Sequence, residues 1–220
     1  MKKQLLLCPS IMCCDFDRLS VSVTDLETAG CDIMHCDVMD GSYVANIALG
    51  LEDVKTVCRN TSLLVDVHLM VSKPETVCSL FLQTDVDIIY IHPATSAFPS
   101  KLLLSIKEAG KKAGIVYNPH EPAEQWTELL PLCDYVLIMT VHPGFAGQTY
   151  LDWVDPKITK LIQWKSAYHY QLIIDGACSP DVIARLSKVG ADGFVLGTAA
   201  LFNKGQSYGT IIKELRKISQ

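Results

Sequence analysis

The amino-acid sequence predicts an α/β fold, a (β/α)8 TIM barrel. Short apolar runs rich in Val and Ile alternate along the chain with longer segments of helical spacing. Side chains that can bind metal ions stand where three of these runs stop, and barrel active sites are built at the carboxyl ends of strands. The length of 220 residues and a composition about half apolar suit one large core. We therefore expect residues 1–220 to form a single domain.

Eight apolar runs bounded by turn residues are the predicted strands. They occupy residues 5–9, 32–39, 63–70, 87–92, 113–118, 135–141, 172–175 and 193–197. Between them, helical spacing marks residues 16–29, 102–109, 158–164 and 182–189. A doubly wound sheet is the alternative fold with the same alternation, but it usually has about five or six strands. Eight strands favour the barrel.

Charge and cysteine content limit the partners. The formal net charge is −5 and the 19 Lys and Arg residues form no cluster, which argues against nucleic acid and anionic membranes. The nine cysteines include no CxxC pair, so we expect free thiols in a reducing compartment. The first apolar run stops at Pro9, too early for a signal peptide core of roughly 7 to 15 residues, and no run is long enough to span a membrane. We expect a cytoplasmic protein with a small partner.

Two imidazoles and two carboxylates predict a divalent-cation site. His35 and Asp37 lie two residues apart in one predicted strand, so they point to the same face, and His68 and Asp175 close two other strands. Each residue alone has an ordinary interpretation as a core or turn residue. Together they are buried charges that need a cation, and the carboxylates could also move protons. Asp40 and Asp66 are interpreted as turn or supporting residues.

Glycines at three later strand ends predict a phosphate site. Gly144 and Gly147 lie in the segment TVHPGFAGQTY, and the pairs Gly176-Ala177 and Gly197-Thr198 follow the last two predicted strands. The common phosphate site of barrels is built from the loops after the last two strands, although such loops are often turns alone. Four methionines near strand ends are interpreted as core packing or as an apolar lining beside the metal: Met12, Met39, Met70 and Met139.

Six segments in order resemble the motifs of the ribulose-phosphate 3-epimerase family, the ketose-phosphate 3-epimerases. They are CPSIMCCDF, HCDVMDGSYVANI, DVHLMV, MTVHPGFAGQ, IIDGACS and GTAALF, and they extend from Ser10 to Phe202. The resemblance implies a TIM-barrel isomerase that inverts C3 of a phosphorylated ketose and commonly forms homo-oligomers. The resemblance also implies that the enzyme needs one divalent metal ion, usually Zn²⁺, with Mn²⁺, Co²⁺, Fe²⁺ or Mg²⁺ as alternatives.

The resemblance also implies roles for individual residues. His35, Asp37, His68 and Asp175 would bind the metal, and Asp37 and Asp175 would be the acid/base pair that flanks an enediolate. The implied substrate-binding residues are Ser10, His68, Gly144, Phe145, Ala146, Gly147, Gly176, Ala177, Gly197 and Thr198.

Departures from the ribulose-phosphate motifs concern the substrate. Four features resemble more closely the branch that acts on D-allulose 6-phosphate: the pairs Met12-Cys13, Met139-Thr140 and Gly197-Thr198, and the segment 145–147. The expected reaction is therefore D-allulose 6-phosphate to D-fructose 6-phosphate, and the alternative is D-ribulose 5-phosphate to D-xylulose 5-phosphate. Ser42, Ala45 and His142 are further departures without an assigned role.

Two rival functions remain. Phosphate-binding barrel decarboxylases usually carry Asp-x-Lys-x-x-Asp, and here His68 stands where the lysine would be. A non-catalytic sugar-phosphate-binding module is the second rival, but both carboxylates and all four predicted ligands are present.

Overall fold

A sheet of parallel strands that closes on itself dominates the computed structural model, which describes residues 4–218. The strands are β1 (Leu6–Pro9), β2 (Ile33–Asp40), β3 (Ile47–Ala48), β4 (Leu64–Met70), β5 (Ile88–Ile91), β6 (Lys112–Tyr117), β7 (Tyr135–Met139), β8 (Gln171–Asp175) and β9 (Gly193–Leu196). Their order is β1-β9-β8-β7-β6-β5-β4-β2-β3. Only the two-residue β3 is antiparallel within the described part of the sheet, where it forms a hairpin with β2.

The first two strands close the barrel. Ser10 and His35 form a parallel bridge between the end of β1 and β2, and the Asp32 N–H donates to the Leu7 carbonyl at 3.0 Å. Each of the eight predicted runs overlaps one barrel strand. The predicted TIM-barrel fold is therefore confirmed.

Helices surround the strands. They are α1 (Leu19–Thr28), α2 (Leu51–Arg59), α3 (Pro74–Phe81), α4 (Pro99–Glu108), α5 (Asp155–Tyr168), α6 (Pro180–Val189) and α7 (Tyr208–Ile218). The predicted helix over residues 16–29 begins as a 3-10 turn, Phe16–Arg18, before α1. Between β6 and β7 a 3-10 stretch, Ala123–Leu132, replaces an α-helix, and it contains Pro131, which has no N–H to donate. No helix among residues 4–218 has the length and apolarity that crossing a membrane requires.

Apolar side chains fill two layers, one inside the barrel and one between barrel and helices. In β5, Ile88 and Tyr90 belong to the inner cluster, whereas Ile89 and Ile91 belong to the outer one. This alternation is the period of two that a strand imposes. Gly114 on the neighbouring strand makes room for the Tyr90 ring, because a Cβ at this position would lie 2.4 Å from it. The barrel interior is thus a packed core.

Four aspartates at the amino ends of strands follow one pattern, and we call them the amino-end aspartates. Each donates its backbone N–H to the carbonyl of a residue near the start of the preceding barrel strand and accepts that residue's N–H on its carboxylate. The carboxylate distances are 2.7 Å for Asp32 with Leu7, 2.8 Å for Asp87 with Val65, 3.0 Å for Asp134 with Ala113 and 2.8 Å for Asp192 with Leu172. These carboxylates therefore satisfy backbone donors where the ladders begin.

Candidate metal and proton-transfer site

The four predicted metal ligands meet at the carboxyl end of the barrel. His35 and Asp37 come from β2, His68 from β4 and Asp175 from the last position of β8, and their ligand atoms lie within 4.8 Å of one another. Asp37 Oδ1 is 3.1 Å from His35 Nε2 and 3.2 Å from His68 Nδ1. Asp175 Oδ2 is 3.8 Å and 3.7 Å from the same two nitrogens. One point in space can therefore be reached by all four side chains.

The chemistry of this donor set fits a divalent cation. His35 and His68 are fully buried, and Asp37 is nearly so. No Lys or Arg within residues 4–218 forms an ion pair with Asp37 or Asp175. Two imidazole nitrogens and two carboxylate oxygens are ligands that Zn²⁺ and related ions accept. A cation among them would neutralise buried negative charge that the described residues leave without a permanent positive partner.

Neighbouring polar side chains orient two of the four ligands. Asp66 Oδ1 lies 2.7 Å from His35 Nδ1, a close ion contact whose alignment is poor for a hydrogen bond. The attraction holds His35 with its other nitrogen, Nε2, toward the cluster. The Ser10 hydroxyl donates to Asp37 Oδ2 at 2.7 Å, which leaves Oδ1 facing the imidazoles. Asp66 is thus a supporting residue, one of the two interpretations given to it.

The two carboxylates differ in proton affinity. Burial alone would raise the pKa of Asp37, but the charge and hydrogen bonds of His35, together with His68, hold it well below its usual range. Burial, followed by the negative charge of Asp37, raises the pKa of Asp175 to about 6. Two nearby carboxylates whose environments separate their pKa values are typical of an acid and base pair.

A cavity of about 250 Å³ opens beside this cluster. Asp37 and Asp175 line it, and so do the four strand-end methionines. Of the predicted substrate-binding residues, these line it as well: Ser10, Gly144, Phe145, Ala146, Gly147, Gly176, Ala177, Gly197 and Thr198. His68 is fully buried and is not among the residues that line the cavity.

Backbone geometry in two loops explains their glycines. Gly176 has φ +112°, and a Cβ there would lie 2.6 Å from Val141 Cγ2 and 2.9 Å from its backbone nitrogen. Gly144 has φ +122°, and its carbonyl accepts a hydrogen bond from Asn46 Nδ2 at 2.7 Å. Only glycine adopts such φ values readily. The Asn46 hydrogen bond connects the loop after β7 to the β2–β3 hairpin.

The three unassigned departures fall in different places. Ser42 and Ala45 are exposed in the β2–β3 hairpin, whereas His142 lines the cavity. Asp40 fixes the hairpin by accepting the N–H groups of Ser42 and Tyr43, both at 2.9 Å. The conformation of the hairpin therefore depends on Asp40 and on backbone N–H groups, and not on the side chains of Ser42 and Ala45.

Three residues beside the cluster were not predicted. His92 Nε2 lies 2.8 Å from His68 Nε2, Tyr43 Oη lies 3.2 Å from His92 Nδ1, and Asn118 Nδ2 donates to Tyr43 Oη at 2.9 Å. A signal was available for His92, because it ends the predicted strand 87–92 just as Asp175 ends 172–175.

Comparison with known sequences gives a consistent result. The family model described as "Ribulose-phosphate 3 epimerase family" matches residues 6–202. A ribulose-phosphate 3-epimerase of Synechocystis sp. is 38% identical over 207 residues, which cover 92% of this chain and 90% of the relative. The protein of that name from Escherichia coli K12 is 35% identical, covering 97% and 96%. The one from Bacillus subtilis is 36% identical, covering 87% and 89%.

Similar solved structures support the fold alone. Phosphoribosyl anthranilate isomerase from Thermococcus kodakaraensis has a TM-score of 0.68 and 13% identity, with 99% of each chain covered. Thiamine phosphate pyrophosphorylase from Pyrococcus furiosus has a TM-score of 0.66 and 16% identity, covering 99% of this chain and 96% of the other. The sequence matches extend over nearly the whole barrel and include every residue of the candidate metal cluster. The chain therefore belongs to the ribulose-phosphate 3-epimerase family, a family of isomerases that act on carbohydrate phosphates.

Proposed function

We propose that this chain is a metal-dependent 3-epimerase that interconverts D-ribulose 5-phosphate and D-xylulose 5-phosphate. The observation that carries the proposal is that Asp37 and Asp175 line one cavity beside two buried imidazoles. The names of relatives at 35–38% identity support ribulose 5-phosphate over the allulose 6-phosphate that the motif details favoured.

Inversion of C3 requires that a proton leave one face of the carbon and that another arrive at the opposite face. Asp37 and Asp175 belong to strands that are separated in the barrel by β1 and β9. Asp37 and Asp175 are the two proton carriers: the carboxylate that is ionised accepts the proton from C3, and the carboxyl that is protonated delivers one to the opposite face. In the reverse reaction the roles exchange.

His35, Asp37, His68 and Asp175 would hold the metal ion, which we assign as Zn²⁺ from the mixed nitrogen and oxygen donors. When bound, a divalent cation supplies Lewis-acid stabilisation of the negative charge that develops on the substrate oxygens. Ser10 keeps Asp37 oriented through its 2.7 Å hydrogen bond.

Homo-oligomer formation and a cytoplasmic location stay predictions.

The phosphate of the substrate is assigned to the loops after β7, β8 and β9. These loops carry Gly144 and Gly147, then Gly176 and Ala177, then the pair at 197–198, and all of them line the cavity. Thr140 secures the middle loop, because its N–H donates to the Asp175 carbonyl at 2.7 Å. Backbone N–H groups in such loops favour an anion.

One observation favours allulose 6-phosphate as a second candidate. Cys13, His142, Ala146 and Thr198, which depart from the ribulose-phosphate motifs, all line the cavity. They could adapt it to a substrate with one more carbon between C3 and the phosphate.

The test is a comparison of kcat/KM for the two sugar phosphates with the same metal-loaded preparation. We expect ribulose 5-phosphate to be preferred by roughly 10-fold or more, because one extra carbon in a fitted pocket typically changes specificity by about 10- to 200-fold. Preference for allulose 6-phosphate would select the second candidate. Turnover of neither substrate would indicate the binding module.

A further inference from the structure

A hydrogen-bonded chain of side chains leads from the buried His68 away from the candidate metal cluster. His68 turns Nδ1 toward Asp37, at 3.2 Å, and turns Nε2 toward His92 Nε2, at 2.8 Å. The two rings stack with an interplanar angle of 27°. His92 Nδ1 in turn lies 3.2 Å from the hydroxyl oxygen of Tyr43. Both nitrogens of His68 and both nitrogens of His92 thus have a defined neighbour.

The direction of this chain follows from the chemistry of the first ring. A His68 that offers the Nδ1 lone pair to a cation carries its proton on Nε2. Among the described residues, the only close acceptor for this Nε2 proton is then the Nε2 lone pair of His92. His92 must therefore carry its own proton on Nδ1, where the Tyr43 oxygen accepts it.

Rigid neighbours hold the far end of the chain. Asn118 Nδ2 reaches Tyr43 Oη at 2.9 Å, and the Asn118 backbone N–H donates to Glu121 Oε2 at 2.7 Å. Lys157 Nζ binds the carbonyls of Pro119 and Glu121, at 2.9 and 3.0 Å. The Tyr43 ring also packs on the His92 ring at 4.9 Å between centroids. His92 itself is fully buried and lies outside the cavity lining, so it does not reach a substrate there.

We propose that His92 and Tyr43 are positioning residues that hold the His68 imidazole with Nδ1 aimed into the metal cluster and so set metal affinity. The proposal rests on the proposed function in one respect, namely that the cluster binds a metal. Partners beyond the ligating histidines commonly change metal affinity by about 10- to 100-fold when they are removed. The alternative is that His92 only fills space in the core.

Cobalt binding tests the proposal without using turnover. The Co²⁺ dissociation constant is measured by competition with a chelator, and the visible Co²⁺ spectrum reports ligand geometry. We expect His92→Leu to weaken Co²⁺ binding by about 10- to 100-fold and to alter the spectrum. His92→Gln, whose amide oxygen can accept from His68, should recover most of the affinity, a rescue that a space-filling role does not predict.

Tyr43→Phe keeps the test independent of whether His92→Leu folds. Losing the hydroxyl oxygen that accepts from His92 Nδ1, and from Asn118 Nδ2, should weaken Co²⁺ binding by about 2- to 10-fold. The matched control is Tyr170→Phe, which removes a buried hydroxyl that donates to the Leu161 carbonyl elsewhere in the fold. Its Co²⁺ affinity should equal that of the unaltered protein.

The outcomes separate this inference from the proposed function. An unaltered protein that fails to bind Co²⁺ would overturn the proposed function and the inference with it. Tight binding by the unaltered protein together with unchanged binding by His92→Leu and Tyr43→Phe would overturn the inference alone. Nitrogen-15 NMR of the Zn²⁺-loaded protein gives a second check: His92 should carry its proton on Nδ1, and a proton on Nε2 would refute the chain's direction.

Discussion

Buried or partly buried aspartates occur at both ends of this barrel, but they have different partners. At the amino end, Asp32 pairs with Arg216 at 2.6 Å and Asp192 with Lys165 at 2.5 Å, and each also accepts a backbone N–H. At the carboxyl end, Asp37 and Asp175 face two imidazoles and each other, and no Lys or Arg of residues 4–218 pairs with either. Asp32 and Asp192 thus have a permanent cation as partner at the amino end, whereas the two aspartates at the carboxyl end do not.

This difference in partners indicates that the amino-end aspartates stabilise the fold, whereas those at the carboxyl end are suited to bind a metal or transfer protons. A carboxylate that is paired with a permanent cation and with a backbone donor fixes local structure. A buried carboxylate beside titratable groups keeps its capacity to gain or lose a proton or to bind a metal, and burial makes its ionised form costly. We therefore expect substitutions at the carboxyl end to affect activity and substitutions at the amino end to affect folding.

The largest effect is expected from Asp175→Asn at the carboxyl end. The amide cannot carry a proton between substrate and solvent, so kcat/KM should fall by about 10²-fold or more. The stability of the metal-free protein should not fall, because the substitution removes a largely buried charge and keeps the side-chain shape. Steady-state kinetics and thermal unfolding on one preparation check both statements. Near-normal turnover by a folded, metal-loaded variant would refute the role of Asp175.

Metal removal is the next largest perturbation. Dialysis against a chelator should reduce activity to less than about a tenth, and added Zn²⁺, Mn²⁺ or Co²⁺ should restore it. Elemental analysis of the untreated protein checks the stoichiometry, which we expect to be one divalent ion per chain. Full activity in a sample shown to be free of divalent metal would contradict the metal-dependent mechanism.

Asp192→Ala tests the amino end and should show the opposite pattern. Its carboxylate accepts the buried Leu172 N–H at 2.8 Å, and leaving that donor unsatisfied costs roughly 1–3 kcal/mol. Denaturant unfolding should show this loss, whereas kcat/KM should stay within about twofold. Asp85→Ala is the matched control, because Asp85 is exposed, and its free energy of unfolding should be unchanged. A large activity loss in Asp192→Ala without unfolding would erase the contrast between the ends.

The sequence predicted the carboxyl end better than the amino end. Residues such as His35 and Asp37 are conspicuous because polar side chains interrupt an apolar strand. Asp87 and Asp134, in contrast, stand just before strands, where an aspartate resembles an ordinary turn residue, and their backbone partners lie more than 20 positions away. Pairing over that distance depends on strand register, which apolar periodicity does not specify.

Other features depended on three-dimensional proximity. His92 lies at the end of a predicted strand, as the predicted metal ligands do. Its contact with His68 joins residues 24 positions apart, and no sequence motif indicates such a contact. The 3-10 stretch Ala123–Leu132 contains Pro131, and a 3-10 helix does not follow the spacing of about 3.6 residues by which an α-helix is predicted. In the proposed function, the substrate's length is selected by the distance between the two carboxylates and the loops after β7, β8 and β9, and no single motif encodes that distance.

The most direct test of the central claim, that two carboxylates exchange protons with opposite faces of C3, is isotope incorporation in deuterated water. Each epimer of the preferred ketose phosphate is incubated with the metal-loaded protein, and deuterium at C3 is measured early in product and in recovered substrate. If Asp37 and Asp175 act as separate bases, product from either epimer carries solvent deuterium, and recovered substrate carries less. Product without deuterium would show direct internal transfer, and substrate that is labelled ahead of product would show a single exchanging base; either result would contradict the two-base account.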